Sequence, residues 1–203
     1  MTSASAQTVL PLEWTAATAR VFHVGTPNAD AVAGLSDPEV WPDRAALLVG
    51  PAASGKSHLA DLLAARGIEI IEDADRGQHD DTMLFHALNR ARNGGAPLLL
   101  TARSRPSGWP VALPDLTSRL LALPRFEIGV PDEAFTGELL ASGLARRGFS
   151  PAPELIAYLV KRIERSHAAI ASAVAVLDEA ATAGGRRLTI PLARARLFGE
   201  DRA

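Results

Sequence analysis

Gly50, Pro51, Ala52, Ala53, Ser54, Gly55, Lys56 and Ser57 satisfy the spacing G-x-x-x-x-G-K-[ST]. The spacing has a mechanical reason. A chain of phosphates is gripped by successive backbone N–H groups, which requires glycine where the loop turns tightly, and by the positive end of the helix that follows. Lys56 then reaches the β- and γ-phosphates, and Ser57 offers a hydroxyl to Mg2+. The alternative is a glycine turn that happens to precede a Lys-Ser pair. The flanking sequence argues against it: AALLV (45–49) is a continuous apolar run, and helical spacing extends from about Ser54 to Arg66, which together give strand, loop and helix.

A magnesium ion held this way needs a carboxylate from a neighbouring strand, often with a second acid to orient the attacking water. IEIIEDAD (68–75) supplies Glu72 and Asp73. Glu72 stands where the usual order has Asp, and its longer arm at a geometrically demanding ion predicts weak hydrolysis. The outer acids Asp75, Asp80 and Asp81 also read as a solvated acidic loop. Thr101, at the tip of PLLLT (97–101), is either a sensor of the γ-phosphate or a plain strand end. Arg119 lies on a short helix before the last strand. From there it can project toward a neighbouring molecule's nucleotide and stabilise charge on the transferred phosphoryl group; the competing reading is a surface arginine on an amphipathic helix. His167, beside Ser166, is either a ligand or, as a lone histidine at a helix start more often is, a structural or exposed residue.

These residues require a scaffold. IEII (68–71), PLLLT (97–101) and FEIGV (126–130) read as strands after AALLV, separated by helices at about 80–93 and 114–123. Strands alternating with helices need crossover connections, so the expected fold class is α/β with a parallel sheet. Beyond Pro131 the character changes to helical spacing at 132–147, 153–165 and 167–183, with a last short helix after Pro191. The expected organisation is an N-terminal arm (1–12), an α/β nucleotide-binding part (13–130) and an all-helical part (131–203).

Composition narrows the function classes. Lys plus Arg number 21 against 23 acids, a net charge of −2, so no general basic excess exists to hold nucleic acid through counter-ion release. Cysteine is absent, which removes disulfides, thiolate metal sites and a thiol nucleophile. The N-terminal residues lack a basic start followed by an apolar stretch, and no run approaches membrane-spanning length. The expected location is the cytoplasm, with no membrane partner.

The motifs together resemble the DnaA-related AAA+ family, and most of all its short Hda-like members, over nearly the full length. FHVGTPNADAV (22–32) is similar to the family's adenine-side box, GPAASGKSHLA to its P-loop, and LLLTARSRPSGW to its first sensor strand. LPDLTSRL is similar to the segment bearing the arginine finger, and RRLTIPLARARL to the closing lid helix. The resemblance implies ADP or ATP with Mg2+ as cofactors. Asn28 and His58 join the P-loop residues and Thr101 on the nucleotide, Ser57 and Glu72 hold the metal, and Asp73 and Arg119 act as catalytic groups, Arg119 in trans.

Gln7, Leu10, Pro11 and Leu12, in QTVLPL, are similar to the peptide by which replication proteins dock on the DNA polymerase sliding clamp. Two aliphatic anchors would enter apolar pockets, and Gln7 would hydrogen-bond at the edge. The implied partners are the sliding clamp and the initiator DnaA, with self-association left open. The implied role is a regulator that stimulates ATP hydrolysis by DnaA, with weak or no ATPase of its own.

Three departures from the family accompany these matches. A strand and helix expected after the P-loop helix are missing, so the sheet should be reduced to about four strands. Ala168 aligns with an arginine of the lid that reads phosphates, with Arg165 as the substitute if the helix register differs. No helix-turn-helix follows the lid, so direct sequence-specific DNA binding is not expected. A small P-loop kinase and a nucleotide-dependent structural adaptor are the alternative functions.

Overall fold

The computed structural model describes residues 22–183 and 187–199. The clamp-like residues Gln7, Leu10, Pro11 and Leu12 lie outside them. Four strands, β1 (Ala45–Val49), β2 (Glu69–Ile71), β3 (Leu98–Ala102) and β4 (Arg125–Glu127), form one sheet in the order β2-β3-β1-β4. Every pairing is parallel. The narrow sheet expected from the sequence is therefore present, with the acid-bearing β2 at its edge.

The two inner strands are buried along their whole length, as their unbroken apolar sequences require. Successive side chains leave a strand on opposite faces. Ala45, Leu47 and Val49 accordingly join one core, with Leu98, Leu100, Leu84, Leu116 and Leu120 beneath α3 (Asp81–Arg92) and α4 (Pro114–Ala122). Ala46, Leu48 and Leu99 join the opposite core, against α1 (Ala29–Leu35) and α2 (Lys56–Ala64). The helices thus sandwich the sheet.

β4 is shorter than the expected 126–130. Its sheet-like bonding continues one residue further, with the Ile128 N–H donating to the Val49 carbonyl at 2.8 Å. The next N–H, of Gly129, donates instead to the Pro27 carbonyl at 2.7 Å, so the chain leaves the sheet to hold the loop before α1.

The helical part consists of α5 (Glu133–Ala145), α6 (Pro153–Val160), α7 (His167–Ala183) and α8 (Ile190–Phe198) around its own core of Leu140, Leu144, Leu155, Leu159, Val174 and Leu177. Asp132 caps α5 by accepting the Phe135 N–H at 2.8 Å, and Ser166 does the same for α7 through the Ala169 N–H at 3.1 Å. α6 ends before the expected 165. The Leu159 carbonyl takes both the Arg162 and Ile163 N–H groups, tightening the chain into the turn that delivers Ser166. No helix among the described residues is long and apolar enough to cross a membrane.

Candidate nucleotide-binding site

The loop after β1 has the shape its motif demands. Gly50 ties it to the sheet by donating its N–H to the Ala102 carbonyl at 3.1 Å. A Cβ on Gly50 would lie 2.8 Å from Ser54 Oγ and 3.0 Å from Ile128 Cβ, so no larger residue fits. Gly55 turns the chain into α2 with φ of 90°, the left-handed region that costs glycine nothing. Lys56 is buried, and its ammonium donates to the carbonyls of Gly50 at 2.7 Å and Pro51 at 2.9 Å across the mouth of the loop. Burial above all, then the Arg103 charge, lowers its pKa, against the raising influence of Asp73, Asp75 and Glu72. Among the described residues, Ser54 Oγ is a buried polar atom without a hydrogen-bond partner at the same loop.

Ser57 and Glu72, the two residues expected on the metal side, lie against each other. Ser57 Oγ donates directly to Glu72 Oε2, so the hydroxyl and carboxylate oxygens that would hold Mg2+ already share one place. Thr101 is buried at the end of β3, and its Oγ1 accepts the Asp73 N–H at 3.2 Å. Asp73 has φ of 50° and turns its carboxylate toward Arg76 at 3.5 Å and Arg103 at 4.0 Å. No group of three or more His, Cys, Asp or Glu side chains among the described residues could cage a metal. Were Mg2+ to bind here, Ser57 and Glu72 would give it two protein oxygens, a set that phosphates and water would have to complete.

The outer acids lie at the surface but are hydrogen-bonded to the chain. Asp75 Oδ2 accepts the N–H groups of Arg103 and Ser104, each at 3.0 Å, and the Ser104 hydroxyl at 2.9 Å. Asp81 Oδ2 accepts from Ala112 N–H at 2.7 Å and Leu113 N–H at 3.2 Å, and Asp80 caps α3 through Thr82 N–H. These carboxylates hold the segments that follow β3 and precede α4.

A cleft opens from the P-loop between the sheet part and the helical part. Phe22, Asn28 and His58 line it from one side and Leu139, Arg146 and Ile170 from the other. Asn28 is buried, and its side-chain amide is engaged with the chain itself: Nδ2 donates to the His23 carbonyl and Oδ1 accepts the Gly25 N–H, both at 2.9 Å. It shapes the 23–28 turn. The Phe22 and His58 rings meet edge to face at 5.5 Å.

Two further histidines line the cleft, His23, which sequence reasoning passed over, and His167, which it weighed without assigning it to this site. His23 shares a 2.5 Å hydrogen bond with Ser142 Oγ, and burial, with Arg146 second, lowers its pKa against the influence of Glu138. His167 donates Nε2–H to the Gly129 carbonyl at 3.1 Å; burial lowers its pKa, the Gly129 bond opposes this, and the Lys56 charge adds to the lowering. The proposed substitute Arg165 is elsewhere, paired with Glu133 at 3.1 Å, and Ala168 is exposed. The helix register presents the residue one position earlier. The neighbouring Ala168 was the available signal, but one residue of register lies beyond spacing arguments.

Arg119 is outside this cleft. On α4 its Nε and Nη2 contact Asp115 Oδ2 at 3.1 Å, its Nη1 donates to Asn89 Oδ1 at 2.8 Å, and the guanidinium lies 4.6 Å from the centre of the Phe85 ring.

Residues 135–197 match the family described as "Hda, lid domain". Domain III of the Thermotoga maritima replication initiation protein DnaA superposes with a TM-score of 0.72 at 16% identity, over 88% of this chain and 94% of that one. The chain therefore has the fold of DnaA domain III and carries an Hda-type lid over residues 135–197. AMPPCP-bound DnaA from Aquifex aeolicus shares the fold at a TM-score of 0.63 and 15% identity, over 80% of this chain and 65% of that one. The RuvB Holliday junction branch migration motor of T. maritima matches with a TM-score of 0.56 at 14% identity, over 75% of this chain and 60% of that one.

A curated Haemophilus influenzae protein described as uncharacterised is 31% identical over 112 residues, which are 55% of this chain. The chain spans about half the length of that relative (48%). The fold shared with these structures accounts for a parallel sheet followed by helices, and the Hda-type lid match covers the helical side of the cleft.

Proposed function

We propose that this AAA+ protein is a nucleotide-bound regulator of replication initiation that docks on the DNA polymerase sliding clamp and stimulates ATP hydrolysis by DnaA. The reading is supported by a P-loop in which Lys56 spans the mouth and Ser57 meets Glu72, opening into a cleft whose far wall lies in the segment that matches an Hda-type lid. Solved DnaA structures of this fold hold the nucleotide analogue AMPPCP.

In this chain ADP or ATP lies along Gly50 to Ser57. Lys56 leaves the two carbonyls it now bridges for the phosphates, and Ser57 and Glu72 hold Mg2+, which neutralises phosphate charge. Asn28 and His58 border the nucleoside end. Thr101 reads the terminal phosphate and Asp73 orients water. Glu72 in place of a shorter aspartate keeps intrinsic hydrolysis weak.

The productive hydrolysis occurs on the partner. Gln7, Leu10, Pro11 and Leu12 engage the clamp, and Arg119 is presented to ATP held by DnaA. Asp115, Asn89 and Phe85 hold the guanidinium in a fixed place until the more strongly charged phosphate draws on it. An arginine acting this way is worth ~10³–10⁵ in rate in related phosphoryl-transfer systems. The test is ATP hydrolysis by purified DnaA with DNA-loaded clamp and this protein. Arg119→Ala should retain clamp binding and lose the stimulation; full stimulation by the variant would remove Arg119 from the mechanism.

A further inference from the structure

The cleft contains a buried titratable group that the function above does not use. His167 is the first residue of α7 and lines the same cavity as Ser54 and Gly55, with 5% of its surface exposed. A carbonyl only accepts, so the 3.1 Å contact with Gly129 O fixes the imidazole proton on Nε2 and leaves Nδ1 as a lone pair.

We infer that His167 is this chain's phosphate-responsive lid residue, taking a proton from solvent onto Nδ1 when polyphosphate enters beside Lys56, so that nucleotide binding and lid attachment are coupled to proton uptake. The inference rests on the nucleotide-binding reading above. Only one proton moves, from solvent to Nδ1, and no covalent bond changes. Nε2–H keeps its bond to Gly129, so the protonated ring ties lid to sheet part while facing the anion with a positive charge.

The surroundings favour this coupling. Without an anion, three influences act against the proton: burial, the Lys56 charge, and the positive end of α7. A polyphosphate offsets all three at once. The other charges around the cleft do not substitute for it. Arg146 and Arg147 of α5 are cations, and Arg147 is paired with Asp178 of α7 at 2.9 Å. Glu133 is paired with Arg165, Asp132 is engaged in capping α5, and His23 is bound to Ser142. An arginine at this place would be charged in every state and would attract phosphate at all pH values. A buried histidine makes the attraction conditional.

The experiment is calorimetry of Mg·ADP binding to the full chain in buffers of different ionisation enthalpy, repeated from about pH 8 down to about pH 6, where a one-proton linkage gives at most about tenfold in affinity per unit. The comparison is His167→Gln, whose amide N–H preserves the Gly129 bond. Proton exchange by ADP itself is common to both proteins and cancels in the difference. The unaltered chain should take up as much as about one proton more than the variant, and its affinity should rise more steeply as pH falls. Equal uptake and equal slopes would overturn the inference while leaving nucleotide binding intact, as would loss of the uptake in His23→Gln instead. Absence of any ADP binding by the unaltered chain would overturn the nucleotide reading itself, and this inference with it.

Discussion

His23 and His167 both have pKa values below the ordinary 6.5 of imidazole, chiefly because burial disfavours the cation. The unfolded chain therefore binds more protons than the folded one as pH falls below 6.5. Stability from these two groups is fully present above 6.5 and is lost as pH drops through the lower folded values. Denaturant midpoints of the nucleotide-free protein should be lower at about pH 5.5 than at about pH 7.5, and the difference should shrink in the His23→Gln/His167→Gln double variant. An unchanged pH dependence in that variant would show that the loss originates elsewhere. The shape of the P-loop was legible because its pattern is local: eight consecutive residues carry their own geometry. Asp75 was not. Its partners Arg103 and Ser104 are 28 and 29 residues away, and a carboxylate receiving distant backbone N–H groups looks in sequence like any exposed acid.

At the scale of elements, α4 both packs the sheet and positions Arg119. Leu116 and Leu120 are essentially fully buried on one face of the helix, while Asp115 and Arg119 pair one turn apart on another. Leu120→Ala should cost about 2–5 kcal/mol by removing packed methyl groups and leaving a cavity. Thermal or denaturant unfolding measures this directly, and a cost below about 1 kcal/mol would mean the helix is not seated as described. The central strands and most helices were legible because burial on both faces, or helical spacing, repeats over enough residues to be distinctive. α1 was not anticipated. ADAVAGL is seven residues long, and its burial depends on a core shared with Trp41, Leu48 and Ile128 from other elements. The ends of β4 and α6 were misjudged for a related reason, since each is set by where the next segment must go.

The molecule as a whole sets a cleft between two separately packed bodies of side chains, with the clamp-like sequence QTVLPL preceding both. The order of P-loop, buried strand β3 and lid was legible from motifs, whereas the cleft's histidine wall emerged only when α7 was folded against Gly129. If the arm directs this assembly to the clamp, Leu10→Ala/Leu12→Ala should abolish retention on purified sliding clamp without altering nucleotide binding. Equal retention of both forms would separate the arm from docking. The central claim, that the P-loop and cleft hold an adenine nucleotide, is tested most directly by titrating Mg·ADP into the purified chain and into Lys56→Ala in a calorimeter. The account predicts saturable one-to-one binding, weakened about 10- to 100-fold in the variant by the loss of charge-assisted hydrogen bonds worth roughly 1.5–3 kcal/mol. No binding by the unaltered chain, or equal affinity in Lys56→Ala, would contradict it.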